Sequence, residues 1–168
     1  MLTSFFARIW TSGQEAKQVT LMLATGFFMG IFIATYQITA DSLFLSRLGD
    51  QLNKAFLIAG ALGIVTTAIY SFFQSRIRYS ILTIISVVLI SIFTVGVYYL
   101  LHVRTDLEET LIFALYCMSG PLTAVLLLSF WGTFGRIFNF RQSKRIIGWI
   151  DTGQLLAAIA ASFLIPLT

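Results

Sequence analysis

Few side chains in this sequence are equipped for chemistry, and most of them crowd into one stretch. Arg136, Arg141, Lys144 and Arg145 place four cations within ten residues, and Asp151 follows six positions after Arg145. On a helix those six positions span roughly 9 Å. Lys144, seven positions before Asp151, falls on the same helix face. A carboxylate inside an apolar membrane helix costs about 2.5–3.5 kcal/mol, so Asp151 needs a cation or water beside it. The spacing predicts an ion pair with Lys144 or a neighbouring arginine, or a role in binding a substrate or coupling ion. The cations suit three tasks: guiding phosphate-bearing solutes, holding anionic lipid headgroups, or anchoring helix ends on the positive side of a membrane.

A second set of polar residues recurs at helical spacing inside apolar runs. Gly26, Gly30, Ala34, Gln37 and Asp41 fall on one face of the first run. Gly60, Gly63, Thr67, Tyr70 and Gln74 do the same in the second, and Gly148, Asp151, Leu155, Ala158 and Ser162 in the last. Each stripe is expected to face inward. Its glycines and alanines are expected to serve close helix packing, while Gln37, Asp41, Tyr70, Gln74, Asp151 and Gln154 are candidates to line a cavity. Ser119-Gly120-Pro121 should kink the fourth run, because proline removes a backbone hydrogen bond. The third run is nearly pure Ile, Val and Leu and is expected to be the most lipid-exposed.

Other chemistries are excluded by residue type. One histidine, His102, cannot build a histidine metal cluster, and one cysteine, Cys117, cannot form a disulfide within the chain. The glycines lie in apolar runs without the Lys-Ser/Thr ending of a phosphate loop. The expectation is a chain that is not an enzyme and carries no cofactor or metal.

These residues need elements to position them, and charge spacing defines those elements. The 168 residues are 58% hydrophobic and only 11% charged, against about a quarter charged in soluble domains. Uncharged runs of 23, 21, 25, 26 and 17 residues separate Lys17 from Asp41, Lys54 from Arg76, Arg78 from Arg104, Glu109 from Arg136, and Asp151 from the chain end. A membrane-spanning helix needs about 20 apolar residues. The prediction is an all-α, polytopic membrane bundle with spans over 18–45, 55–74, 79–101, 110–134 and 146–167. Residues 17–168 form the transmembrane domain and residues 1–16 a short interfacial segment carrying Phe5, Phe6, Ile9 and Trp10. The first run is too long for the apolar core of a cleaved signal.

Alternate loops carry unequal charge. Eight Lys and Arg residues lie in the N-terminal, second-to-third and fourth-to-fifth segments, against three in the other two loops. The positive-inside rule then puts the N-terminus in the cytoplasm of a multi-pass protein of the inner (plasma) membrane. This also explains the net charge of +4 without nucleic acid as a partner. The lipid bilayer is the expected partner. The ending Pro166-Leu167-Thr168, with no charged anchor, suggests further helices beyond this stretch.

The segment from Gly135 to Gln154, with Ser143-Lys144-Arg145-Ile146-Ile147-Gly148 at its centre, resembles the ATP/ADP translocase family of nucleotide exchangers. Phe27-Phe28-Met29-Gly30 and Asp41-Ser42-Leu43-Phe44-Leu45-Ser46 are similar to its first helix. The resemblance implies a major-facilitator-type fold of two six-helix halves, of which this chain would supply five helices of the first. It further implies exchange of nucleotides or other organic anions by alternating access. The cavity would be lined by Gln37, Asp41, Tyr70, Gln74, Asp151 and Gln154, with Arg141, Lys144 and Arg145 drawing anions to its mouth. Gln74-Ser75-Arg76-Ile77-Arg78 departs from the usual major-facilitator loop in lacking its Gly and Asp. The alternative is a membrane anchor or sensory module whose bundle holds a partner protein.

Overall fold

The computed structural model describes residues 13–164, and Met1–Ser12, most of the expected interfacial segment, lie outside them. Among the described residues there are five α-helices: α1 (Gly13–Leu48), α2 (Leu52–Gln74), α3 (Tyr79–Val103), α4 (Glu108–Ile137) and α5 (Phe140–Leu164). Among the described residues there are no strands. Gly13 to Ala16, placed in the interfacial segment from sequence, are the first residues of α1.

The helices end where the backbone leaves helical dihedrals. Leu48 (φ −131°, ψ 23°) precedes a 3₁₀ turn at Gly49–Gln51, whose last residue Gln51 (φ −95°, ψ 9°) leads into α2. Arg78 is extended (φ −55°, ψ 126°) and Arg104 likewise (φ −124°, ψ 85°). Glu108 and Glu109 open α4, where carboxylates oppose the positive end of the helix dipole. Phe140 opens α5 with no acid in its first turn.

Four segments are long and apolar enough to cross a membrane: Lys17–Gln74, Tyr79–Val103, Glu108–Ile137 and Ile146–Phe163. The first, 58 residues long, merges two of the expected spans because only one 3₁₀ turn interrupts it. Side-chain pairing shows that it folds back. Arg47 pairs with Glu108 at 3.3 Å, Phe44 stacks on Tyr116 at 4.2 Å, and Gln37 bonds Thr123 at 3.3 Å, so α1 runs antiparallel to α4. Cys117 Sγ donates to the Ala55 carbonyl at 3.6 Å, and Tyr70 meets Ser129 at 3.0 Å, so α2 runs parallel to α4. Two helices with opposite directions against the same neighbour are antiparallel to each other.

The chain divides into two compact units, one of Ile33–Thr133 and one of the described parts of Met1–Phe32 and Phe134–Thr168. In the first, Phe44, Leu48, Ala55, Ile112 and Cys117 form a buried cluster. Three tyrosines then fasten three helices to α4. Tyr36 of α1 donates to the Leu115 carbonyl (3.0 Å), Tyr70 of α2 bonds Ser129 Oγ, and Tyr79 of α3 donates to the Leu128 and Ser129 carbonyls, both at 2.8 Å. Gly132 makes room for the last of these. A Cβ there would collide with the Tyr79 hydroxyl and lie 2.6 Å from its Cζ.

In the second unit the early part of α1 packs on α5 through small residues. Val19, Met22, Gly26 and Gly30 are buried on α1, and Ile146, Ile150, Ala157 and Ala161 on α5. A Cβ on Gly30 would sit 2.7 Å from the Gln154 carbonyl oxygen and 3.2 Å from the Ala157 Cβ. The expected inward face of Gly26, Gly30 and Ala34 is therefore correct. The α5 face is not. Gly148, Asp151, Leu155 and Ser162 are exposed and Ala158 is half-buried, while the packed stripe lies about a third of a turn away. In α2, Tyr70 alone of its expected stripe is buried, and Gly60 is exposed.

α3 also departs from expectation. It buries Tyr79, Leu82, Ser86, Ile90 and Val97 on one stripe, whereas α2 buries only Ala55 and Tyr70. The outer face of α2 carries Phe56, Leu57 and Ile64, each at least 70% exposed. In a bilayer both packed and lipid-facing positions are apolar, so Ile and Val content cannot tell them apart.

Candidate functional site

Polar side chains at helix depth converge at two separate places. In the unit Ile33–Thr133, Gln37 Nε2 donates to Thr123 Oγ1, and Thr123 Oγ1 donates to the Ser119 carbonyl at 2.8 Å. Ser119 Oγ in turn donates to the Tyr116 carbonyl at 2.7 Å. Such back-bonding satisfies hydroxyls within a helix and often bends it, and buried Pro121, inside α4, leaves the Cys117 carbonyl without its usual amide donor. Asp41 stands one turn beyond Gln37 and is exposed. Gly120 is exposed too, with nothing within 4 Å of where its Cβ would be.

The result is a polar strip of Gln37, Asp41, Ser119, Gly120 and Thr123 along α1 and α4. Sequence reasoning misses the α4 members as site residues because Ser119-Gly120-Pro121 signals a kink before it signals a surface. Helical spacing alone could not reveal that Thr123 lies opposite Gln37. Tyr70 does not join this strip. It is 4% exposed and spends its hydroxyl on Ser129, six residues, or roughly 9 Å, further along α4. Gln74 is half-buried at the end of α2.

The second place is α5. Lys144 does not reach Asp151; its Nζ lies 4.6 Å above the centre of the Phe140 ring, one turn back. Among the described residues the ion pairs are Arg47–Glu108 and Arg104–Asp106, and none involves Asp151. Arg141 and Arg145 occupy the first two turns of α5, and their side chains lie outside what is described. Gln154 sits at the close approach of Gly30, half-buried, and its Nε2 has no hydrogen-bond partner among the described residues.

α5 thus presents three stripes. One is packed (Ile146, Ile150, Ala157, Ala161). One is exposed and apolar (Trp149, Leu156, Phe163). The third is exposed and mixed, with Lys144, Gly148, Asp151 and Ser162 beside the apolar Leu155. Hydrocarbon suits the second stripe and penalises the third. Thr152 and Ser162 hydroxyls donate to Gly148 and Ala158 carbonyls in their own helix, at 2.6 and 2.8 Å, which leaves Asp151 as the costly group.

The ends of the unit Ile33–Thr133 differ in charge. At one end the α1–α2 and α3–α4 turns meet through Arg47–Glu108 (3.3 Å), and Arg104 pairs with Asp106 (3.5 Å). At the other, Tyr79 brings the α2–α3 turn to the last turns of α4, and Arg76 lies 4.6 Å over the exposed Phe72 ring. Among the described residues no three His, Cys, Asp or Glu side chains group as a metal site. Compared with protein-family models, curated proteins and solved structures, the chain matches none.

Proposed function

We propose that this chain is the membrane-embedded helical part of a solute transporter that works by alternating access, with five spans and its basic end in the cytoplasm. The observation that carries the proposal is the presence of exposed carboxylates within largely apolar spans, Asp41 beside half-buried Gln37 in one unit and, separately, Asp151 on α5 in the other. A carboxylate on an open helix face is costly against lipid and tolerable against water or a binding cavity. The count of five rests on the fold-back at Gly49–Gln51, since α1 and α2, of 36 and 23 residues, are each long enough to cross alone. The orientation rests on the eight-to-three division of Lys and Arg. Nucleotides or other organic anions are the proposed substrates, on the strength of the family likeness and of the four cations that the sequence places between Arg136 and Arg145. A second half or further helices would complete the cavity.

The anchor or partner-binding alternative has its own support in α2. Its outer face is bare, and nothing lies within 4 Å of where a Cβ on Gly60 or Gly63 would stand. Cysteine accessibility separates the two. In a Cys117→Ser background reconstituted into vesicles, Asp151→Cys, Leu155→Cys and Ser162→Cys are expected to react with a membrane-impermeant maleimide. Trp149→Cys, Leu156→Cys and Phe163→Cys are expected to stay unlabelled. Equal labelling of the two sets would sink the cavity, and silence in both would favour a stripe covered by protein.

A further inference from the structure

The polar strip along α1 and α4 offers mostly one kind of atom. Gln37 donates through Nε2 to Thr123 Oγ1, which leaves its Oε1 without a bond among the described residues. Thr123 spends its hydroxyl hydrogen on the Ser119 carbonyl, and Ser119 spends its own on the Tyr116 carbonyl. A hydroxyl that has donated its hydrogen has only lone pairs left to offer, and so has an ionised carboxylate. An anionic solute needs several donors, and among these side chains only the second hydrogen of Gln37 Nε2 remains. A hard cation needs oxygens, and the strip supplies them.

The depth of the strip makes its charge costly. Arg47 and Glu108 pair at the end of the same two helices. Asp41 lies six residues from Arg47 and Ser119 eleven from Glu108, roughly 9 and 16 Å along their helices. The contacts of Gln37 with Thr123 and of Phe44 with Tyr116 set an antiparallel register that puts Asp41 level with Ser119. That distance reaches past a headgroup layer into a hydrocarbon core about 30 Å thick. A carboxylate there calls for a positive charge beside it. Among the described residues the ion pairs are Arg47–Glu108 and Arg104–Asp106, and no hydrogen bond reaches the Asp41 carboxylate. Lys54, near the start of α2, is exposed and makes no ion pair either. Gly120, next to Ser119, keeps the strip open, since nothing lies within 4 Å of where its Cβ would stand.

We infer that this strip is a binding site for a monovalent alkali cation. Asp41 supplies the charge, and Gln37 Oε1 and Ser119 Oγ replace part of the ion's water shell. Thr123 is a positioning residue that fixes which end of the Gln37 amide is spent. One carboxylate balances one positive charge, whereas calcium sites draw on several, and among the described residues no three His, Cys, Asp or Glu side chains gather. The inference deepens the transport reading by giving it a coupling ion, but it rests on the strip alone. Cation binding can fail while labelling along α5 succeeds, and the reverse, so the two readings fail separately.

The test uses the full chain in detergent, with thermal unfolding followed by circular dichroism in equal concentrations of sodium, potassium or choline chloride. Sodium or potassium is expected to raise the midpoint by about 4 °C over choline, the shift for an ion at roughly ten times its Kd in a chain of this size. Asp41→Asn should abolish the difference. Thr123→Val, which releases the Gln37 amide, should reduce it, and Thr123→Ser should keep it. Asp50→Asn, at the exposed Gly49–Gln51 turn, removes the same charge and should leave the difference intact. The cooperative transition itself verifies that each variant is folded. Equal midpoints in the three salts would overturn the inference and leave protonation as the means of neutralising Asp41. So would a difference that survives Asp41→Asn. A difference lost equally in Asp50→Asn would also overturn it, by reducing the effect to overall charge.

Discussion

The two units hold their helices together by different means. In Ile33–Thr133, α4 is hydrogen-bonded to a tyrosine hydroxyl from each of three neighbours, and aromatic and aliphatic side chains fill the space between. In the other unit small residues bring α1 and α5 together. Their backbones approach at Gly30, where even a methyl group does not fit. Water cannot drive apolar helices together inside lipid, so association depends on polar bonds or on close van der Waals packing. The first unit leans on polar bonds and the second on close approach. A hydroxyl can find another acceptor nearby, so the first tolerates some change in shape. The second has no slack.

The largest effect should come from the unit without slack. Gly30→Val places a branched side chain against the Gln154 carbonyl and should cost about 3 kcal/mol or more, at the upper end of overpacking. Chemical denaturation in detergent micelles would show it. A loss under about 1 kcal/mol, below the usual overpacking range, would mean that the α1–α5 approach is looser than the geometry shows.

An intermediate effect is expected at Tyr79. Tyr79→Phe removes a hydroxyl with two acceptors and should cost about 1 kcal/mol, within the measured range for membrane hydrogen bonds. Gly132→Ala should cost about 1–3 kcal/mol by pushing the same ring away. Combined, the two should cost less than their sum, because each removes what the other disturbs. Strict additivity in a double-mutant cycle would break the link between Gly132 and the Tyr79 ring.

The smallest effect sharpens the comparison from the other side. Gly60→Ala and Gly148→Ala meet nothing within 4 Å. They should change stability by less than about 0.5 kcal/mol as surface substitutions, or gain slightly from better helix propensity. Thermal unfolding in the same detergent would suffice. A large loss at Gly60 would reveal a close neighbour on α2 and strengthen the partner-binding reading.

Helix boundaries are legible in the sequence because charge is excluded from hydrocarbon whatever the helices pack against. The charged residues at 76, 78 and 104 mark the ends of α2 and α3 almost to the residue. The face of α1 that carries Gly26 and Gly30 is legible for a related reason, since a glycine pair on one face serves little purpose except close approach. The face of α5 is not. Its polar stripe and its packed stripe both recur at helical spacing, and a rule that sends polar groups inward chooses the wrong one. The candidate site is legible only in part. Gln37 and Asp41 stand out by their spacing, but Ser119 and Thr123 belong with them through a contact 86 residues apart in sequence for the Gln37–Thr123 bond. Tyr70 looks like a cavity residue and is a fastening.

By itself, then, the sequence determined that the chain is helical, where its apolar stretches begin and end, and how its charge is shared between alternate turns. These follow from the cost of moving each residue type out of water, a local property. Tertiary structure alone decided that α1 and α2 fold back on each other, that α4 receives the three tyrosines, and that Asp151 looks away from the packed face of α5. Those outcomes depend on which of several apolar stripes finds a partner. In a medium as apolar as the side chains themselves, hydrophobicity does not distinguish among them.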